Sequence, residues 1–200
     1  WPSEWCLEAN NLAIQVHGGY GYTRDFPVEQ YWRDNRLNMI HEGAHGIHGL
    51  DLLGRKAMMD QGAALKAVLA DVVATANDAA RVPDLAGQAA ALQRACATIG
   101  KTTQVLGTCL AGGQIRLGLA NASHYLTLVG HTLIAWMWLQ QALVAHRALA
   151  TASAADRDFY QGKIATCRFF FRHELPVIDP LADLLQSLDD TALTMQSAQF

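Results

Sequence analysis

The residues of this 200-residue chain whose types and spacing could do chemistry lie between Gln15 and Lys56. Glu42 stands in the run His41-Glu42-Gly43-Ala44-His45. On a helix, His residues at i and i+4 share a face and can hold zinc while the Glu activates water, the logic of H-E-x-x-H hydrolases. A third ligand is available in His48 or Asp51. Against this, Gly43 and Gly46 weaken the helix such a site needs, and the extended zincin pattern asks for Gly where this chain has His48. No metal is therefore assigned, and zinc hydrolysis through His41, Glu42 and His45 stays as an alternative. Gly18-Gly19-Tyr20-Gly21 superficially resembles a dinucleotide loop, but such a loop follows a strand and opens a helix. This run closes a helical pattern and has Arg24 where a third Gly belongs, so alone it reads as a helix C-cap and turn. Arg33-Asp34-x-Arg36 alone reads as a solvated, locally paired helix face, and His17, His124 and His131 as ordinary helix residues.

The elements that must position these residues are all helical. Ser3 is a plausible N-cap of a helix that runs through Leu7, Leu12 and Ile14 until Gly18-Gly19 stops it. Tyr20 to Phe26 reads as a loop, and Pro27 opens a short helix bearing Val28, Tyr31 and Trp32. From Glu42, the spacing of Ile47, Leu50 and Leu53 predicts a helix to about Met59, loosened by Gly43, Gly46 and Gly49. Each of those glycines costs about 0.8–1 kcal/mol of helix propensity relative to Ala, as happens where a ligand must approach the backbone. Leu65, Val68, Leu69, Val72 and Val73 predict an amphipathic helix ended by Val82-Pro83. Leu85, Ala89, Leu92, Cys96, Ile99, Thr103, Leu106 and Leu110 then follow a 4-3 seam, closed by Gly112-Gly113. A long helix is expected from about Gln114 to Ala150, another from Ala154 to Leu175, a break at Pro176 and Pro180, a short helix from Leu181 to Leu188, and a frayed end. Without period-two alternation anywhere, the fold class is all-α, an antiparallel helical bundle.

Composition narrows the function. At 51% hydrophobic and 16% charged, the chain has apolar surface to spare for subunit or domain contacts, so a homo-oligomer is expected. A formal net charge of −3 with dispersed Lys and Arg gives no footprint for nucleic acid. Cys6, Cys96, Cys109 and Cys167 form no C-x-x-C pair and suit free thiols in a reducing compartment. The cytoplasm is the expected location, with a mitochondrial matrix as the alternative. Tyr125–Leu139 is strongly apolar but contains His131 and is shorter than the ~20 residues of a membrane span, so it reads as a buried bundle helix. The opening Trp1-Pro2-Ser3 has no Met and no leader pattern, and further chain upstream is expected.

As a set, Gln15-x-x-Gly18-Gly19-x-Gly21-Tyr22, Pro27-Val28-Glu29, Arg33-Asp34-x-Arg36 and Ile40-His41-Glu42-Gly43 resemble the C-terminal helical domain of the acyl-CoA dehydrogenases in order and spacing. The continuation Gly49-Leu50-Asp51-Leu52-Leu53-Gly54-Arg55-Lys56 and the helices after it resemble the longer subgroup that includes 3-methylthiopropanoyl-CoA dehydrogenase. The resemblance implies a domain core with the catalytic motif over 1–60 and an additional helical region over 61–200. It also implies that the family's N-terminal helical and middle β domains lie outside this chain, which alone is expected to be inactive.

The resemblance implies Glu42 as the base that removes the α-proton of an acyl-CoA thioester while the β-hydrogen leaves as hydride to FAD, giving a trans-2-enoyl-CoA. A carboxyl buried against an acyl chain rises from its usual value of about 4.3 and becomes a stronger base. Gln15, Gly18 and Gly19 are implied to lie against the FAD of a neighbouring subunit, and His41 and Gly43 to line the acyl pocket. Ala44 and Gly46 stand at flavin-contact positions where the family has Thr and a second polar residue. The missing Thr hydroxyl removes about 0.5–1.5 kcal/mol of hydrogen bonding to cofactor. The implied partners are acyl-CoA, electron-transfer flavoprotein or a similar acceptor, and further copies of the chain as a dimer or tetramer. The alternative of another class is a non-catalytic helical assembly module of the same fold, supported by Ala44 and Gly46.

Overall fold

The computed structural model describes residues 1–41 and 43–199, and among these there is no strand. They form two compact units, Trp1–Gly49 and Leu50–Phe200.

The first unit is built on α1 (Pro2–His17) and α2 (Val28–Arg36). Helix α1 begins with Pro2 at its first position, where a missing N–H costs nothing. Trp1, not Ser3, is the capping residue, and the Ser3 hydroxyl bonds His45 instead. After His17 the chain tightens into a 3₁₀ turn, Gly18–Tyr22, so the expected loop is ordered from its start. Glycine is required there twice. Gly18 has φ +60°, and a Cβ on Gly21 would meet the Ile14 carbonyl oxygen at 2.5 Å and its Cα at 2.9 Å. Asn35 Nδ2 donates to Asn10 Oδ1 at 2.9 Å and registers α2 against α1. The two helices leave a cleft of about 390 Å³ between Trp5, Leu7, Trp32 and Met39, and neither buries a described side chain fully. Helix α3 (His45–Asp51) follows, three residues later than the expected start at Glu42.

In the second unit, Leu52–Lys56 is a π-helical turn where a regular helix to Met59 is expected, and Ala57 N–H reaches back to the Leu52 carbonyl. Helix α4 (Ala63–Ala80) and α5 (Ala86–Ala111) form a hairpin through a turn at Pro83–Leu85. The seam is present: Leu85, Ala89, Leu92, Cys96, Ile99 and Leu106 are buried. Thr103 belongs to it as well, accepting or donating a 2.7 Å bond with the buried Tyr125 hydroxyl.

The helix expected over Gln114–Ala150 is two, α6 (Ile115–Leu119) and α7 (Ala122–Ala148). The break has a cause in tertiary packing. A Cβ on Gly118 would come within 2.7 Å of Leu110 Cδ2, so α6 packs tightly on α5, while Asn121 leaves helical geometry (φ −112°, ψ 32°) and donates to the Asp189 carbonyl at 2.8 Å. By length and composition α7 could cross a membrane, but half of its most apolar window is buried against its neighbours, as in a core helix. His131, near its middle, is buried with Nδ1 3.0 Å from the Thr127 carbonyl.

Ser153 caps α8 (Ala154–Phe169) by accepting from Asp156 N–H at 3.2 Å. The chain continues through a π-helical turn, Phe170–Glu174, and a 3₁₀ turn, Leu175–Val177, into α9 (Ile178–Gln186). Pro176 and Pro180 therefore do not break the chain. Each lies in a first turn, where no N–H is needed. The expected Leu181–Leu188 helix starts three residues earlier, and the end carries α10 (Thr191–Thr194) and a 3₁₀ turn at Ser197–Gln199.

Two outcomes follow from this architecture. Asp60 (φ 50°, ψ 45°) and Gln61 (φ 57°, ψ 34°) enter a left-handed turn before Gly62. A left-handed non-glycine residue costs roughly 1–2 kcal/mol, part of which glycine returns through its freer unfolded state. Gln61→Gly should therefore raise the unfolding free energy by about 0.5–1 kcal/mol, read as a shifted urea midpoint with unchanged slope; a lower midpoint refutes the strain.

The second outcome concerns the thiols. Burial pushes the Cys96 thiol up to about 11 and the Cys167 thiol up to about 12, from an ordinary 9.0. The folded chain keeps these protons where the unfolded chain releases them, so this contribution is full below pH 9 and is lost as pH rises through 11–12. Melting should fall across that window, and at neutral pH a thiol reagent should label Cys6 while sparing the three buried cysteines until denaturant is added.

Candidate functional site

The motif residues fall on two turns of the Trp1–Gly49 unit, one at each end of the α1–α2 pair. At the first, Gln15 is exposed in the last turn of α1 and its carbonyl accepts the Gly18 N–H. Gly18 and Gly19 are exposed, and a Cβ on either would meet nothing within 4 Å. This bare stretch of backbone is open to a flat group laid against it, which side chains would hold away. Gly21 differs from its neighbours, since it is buried and sits against Ile14. His17 packs on Phe26 with ring centroids 4.5 Å apart, and the Tyr20 ring meets Phe26 edge-on at 6.4 Å, fixing the turn from its outer side.

The second turn follows a short 3₁₀ segment, Leu37–Met39. His41 is exposed, and its Nδ1–H donates to the Leu37 carbonyl at 3.2 Å. Glu42, the expected base, lies outside the described residues. Gly43 has φ +116°, a conformation that L side chains rarely adopt, so a regular helix cannot pass through it. Ala44 and Gly46 are exposed, and a Cβ on Gly46 would meet nothing within 4 Å. His48 Nε2–H donates to the Gly43 carbonyl at 3.0 Å, and Ser3 Oγ and His45 Nε2 are hydrogen-bonded at 3.3 Å.

The described histidines do not have the helical spacing that a zinc hydrolase needs. His41 precedes the helix, which begins at His45, so the two rings do not lie one turn apart on a helical face. The imidazoles of His41, His45 and His48 each bond a neighbouring group, and among the described residues no cluster of three or more His, Cys, Asp or Glu could hold a metal. Arg33 and Glu29 pair at 3.3 Å along α2, as the solvated-face expectation has it. Asp51 is held below the usual carboxylate range by its bonds to Arg55 and Lys56, an exposed network beyond the turn.

Sequence reasoning missed two residues. Gly21 was part of a motif, but its packing requirement against Ile14 has no sequence signal beyond glycine itself. His48 reads in the sequence only as a metal ligand, although its spacing of five from Gly43 lets a ring at the start of a helix reach back to the preceding turn. A groove between α7 and α8, about 310 Å³ and lined by Met137, Val144, Phe159 and Lys163, contains none of the motif residues.

The described residues contain no strand, and the glycine-bearing segments 18–21 and 43–46 both lie in the Trp1–Gly49 unit. Residues 1–58 match the family described as acyl-CoA dehydrogenase, C-terminal domain, and residues 62–196 match that described as acetyl-CoA dehydrogenase C-terminal like. The chain belongs to the acyl-CoA dehydrogenase family.

Among its relatives, a broad-specificity linear acyl-CoA dehydrogenase of Mycobacterium tuberculosis is 31% identical over 195 residues, covering 94% of this chain and 32% of the relative. The 3-methylmercaptopropionyl-CoA dehydrogenase of Ruegeria pomeroyi is 29% identical over 198 residues, 96% of this chain and 32% of the relative. Over a shorter stretch of 47 residues, the mitochondrial isobutyryl-CoA dehydrogenase of Bos taurus is 48% identical, covering 24% of this chain and 11% of the relative. The chain spans about a third of the length of the first two.

The two kinds of glycine in the first turn separate experimentally. Gly21→Ala should lower the stability of the Trp1–Gly49 unit by about 1–3 kcal/mol, because Ile14 backbone cannot yield to the new methyl. Gly19→Ala should leave that unit nearly unchanged. Hydrogen exchange of α1 amides in the two variants distinguishes them, and equal protection would show that Gly21 is not packed as described.

Proposed function

We infer that the chain serves as the C-terminal third of an FAD-dependent acyl-CoA dehydrogenase, with Glu42 as the base for α,β-dehydrogenation of an acyl-CoA thioester. The observation that carries this is the match of residues 1–58 to the family's C-terminal domain, with Glu42 in the expected place between Ile40 and Gly43. Glu42 takes the α-proton, and the product is a trans-2-enoyl-CoA. FAD, when bound, supplies the acceptor for the β-hydrogen. Gln15, Gly18 and Gly19 would hold the flavin of a neighbouring subunit, and the open backbone at the two glycines fits a group that must approach closely. Ala44 and Gly46 would face the flavin without the hydroxyl that Thr would provide. His41 and Gly43 would line the acyl pocket.

Division into a motif-bearing part over 1–60 and a helical extension over 61–200 is supported by the separate family matches, which end at 58 and begin at 62. Isolated, the chain would be inactive. The Trp1–Gly49 unit keeps Val16, Tyr22, Leu37, Ile40 and Ile47 exposed, a surface suited to cover by further polypeptide or a second copy. Acyl-CoA, electron-transfer flavoprotein or a similar acceptor, and a homo-oligomeric assembly are the partners this role requires, in the cytoplasm or a mitochondrial matrix.

The test is made on the complete polypeptide that carries this chain. Acyl-CoAs of graded length are added with an artificial electron acceptor, and the visible flavin spectrum and turnover are recorded for wild type and Glu42→Gln. Wild type should bleach and turn over with at least one acyl-CoA, and the variant should lose about 10²–10⁴-fold in rate, the usual contribution of a positioned base. A colourless wild-type protein that stays inactive with added FAD would favour the non-catalytic assembly module.

A further inference from the structure

We propose that the groove between α7 and α8 is a self-complementary face on which two copies of the polypeptide pair, α8 against α8 in antiparallel register. This names a face of the homo-oligomer inferred above and rests on that assembly. The apolar part of the face stands open. Phe159 is 61% exposed and Val144 62%, and with Met137 they wall a groove of about 310 Å³. Large apolar side chains gathered at one opening, rather than scattered singly, mark a surface that another surface covers.

Charge identifies the covering surface. Asp156 and Lys163 stand seven residues apart on α8, with Phe159 and Tyr160 between them. Seven residues are close to two helical turns, so the two charges share a face, about 10.5 Å apart along the axis. The intervening charged residues, Arg157 and Asp158, lie about 100° and 200° round the helix from Asp156 and point elsewhere. A second α8 laid antiparallel on this face, with the two-fold axis between positions 159 and 160, sets Lys163 of each copy opposite Asp156 of the other. Near the axis, Phe159 of each copy meets the apolar groove of the other. One patch thus offers an acid, an aromatic knob, an apolar groove and a base, the self-complementarity that a two-fold contact requires. A small amphipathic anion would answer Lys163 alone and leave Asp156 unmatched.

The groups are already oriented. Lys163 Nζ–H donates to Gln141 Oε1 at 3.0 Å, and the ammonium lies 5.4 Å from the Trp138 ring centroid and 5.5 Å from that of Phe159. Ser153 Oγ–H donates to Asp156 Oδ2 at 2.7 Å. The Phe159 and Tyr160 rings meet edge-on at 5.6 Å, which steadies the knob. An ammonium has three donors and a carboxylate about four acceptor sites, so both charges keep capacity for a partner across the axis. Side chains held in place before contact lose less freedom on association.

The experiment measures the mass of the complete flavin-loaded polypeptide by sedimentation equilibrium, with melting and acyl-CoA turnover recorded on the same samples. It compares wild type, Phe159→Asp, Asp156→Lys, Lys163→Asp and an equimolar mixture of the last two. Wild type should assemble, and Phe159→Asp should assemble at least about 10-fold more weakly with melting of the monomer unchanged. Each charge reversal sets like charges opposite one another in a self-pair and should weaken assembly by a similar factor. In the mixture the lysines of one copy face the aspartates of the other, and assembly should return, which also shows that both variants are folded. Wild-type assembly in all three variants, or a mixture as dissociated as its components, overturns the face. A Phe159→Asp protein with wild-type mass and lowered melting overturns it too, and assigns the groove to cover by another part of the same polypeptide. A monomeric wild type removes the homo-oligomer and this face with it, whereas oligomers unaffected by the variants remove the face alone. Turnover tests the dehydrogenase function independently of either result.

Discussion

Burial of α7 is the constraint on which the larger unit depends. Its buried side chains, among them Tyr125, Leu128, Thr132, Ala135, Leu139 and Leu143, form a long stripe, and α4, α5, α8 and α9 all pack on the helix. So long an apolar stripe is stable only when neighbouring helices cover it. The polar groups drawn inside are then obliged to pair: Tyr125 OH with Thr103 Oγ1, Trp136 Nε1–H to Thr75 Oγ1 at 2.7 Å, and Gln186 Nε2–H to Thr102 Oγ1 at 2.9 Å. Among the described residues no buried side-chain nitrogen or oxygen lacks a partner. These cross-links fix which helix faces which, something apolar packing alone does weakly.

The smaller unit obeys a different rule. It has no enclosed helix, and its order comes from glycine-dependent turns and short polar bonds: Gly21 against Ile14, Asn35 to Asn10, His48 to Gly43. Its apolar side chains remain at the surface, Val16 being 86% exposed. Such a unit is determined by local geometry more than by a core. That suits a site whose backbone must lie open to a ligand, since filling it with side chains would gain stability and close the approach.

Legibility in the sequence follows the same contrast. The seam of α5 could be read because a 4-3 repeat of Leu85, Ala89, Leu92, Cys96 and Ile99 has one physical explanation, a buried stripe. The all-α class and the family resemblance were likewise available from pattern and motif. What could not be read were features set by contacts distant in sequence. The break between α6 and α7 depends on Leu110 crowding Gly118 and on Asn121 finding the Asp189 carbonyl, 68 positions away. Pro176 and Pro180 look like breakers on paper, yet each sits where a first turn needs no donor. The start of α3 at His45 depends on the backbone of Gly43, which glycine permits but does not announce.

That backbone also explains why the H-E-x-x-H spelling misleads here. The motif carries information only if five residues share one helix, because the i and i+4 relation is a statement about 3.6 residues per turn. A glycine at φ +116° within the five cancels it, and the histidines separate to bond Leu37, Ser3 and Gly43. The same residues cannot form both a metal-binding helical face and a turn whose carbonyls are gripped by the side chain and main chain of His48. In this chain the turn has won, and His41, His45 and His48 serve as tethers to nearby groups.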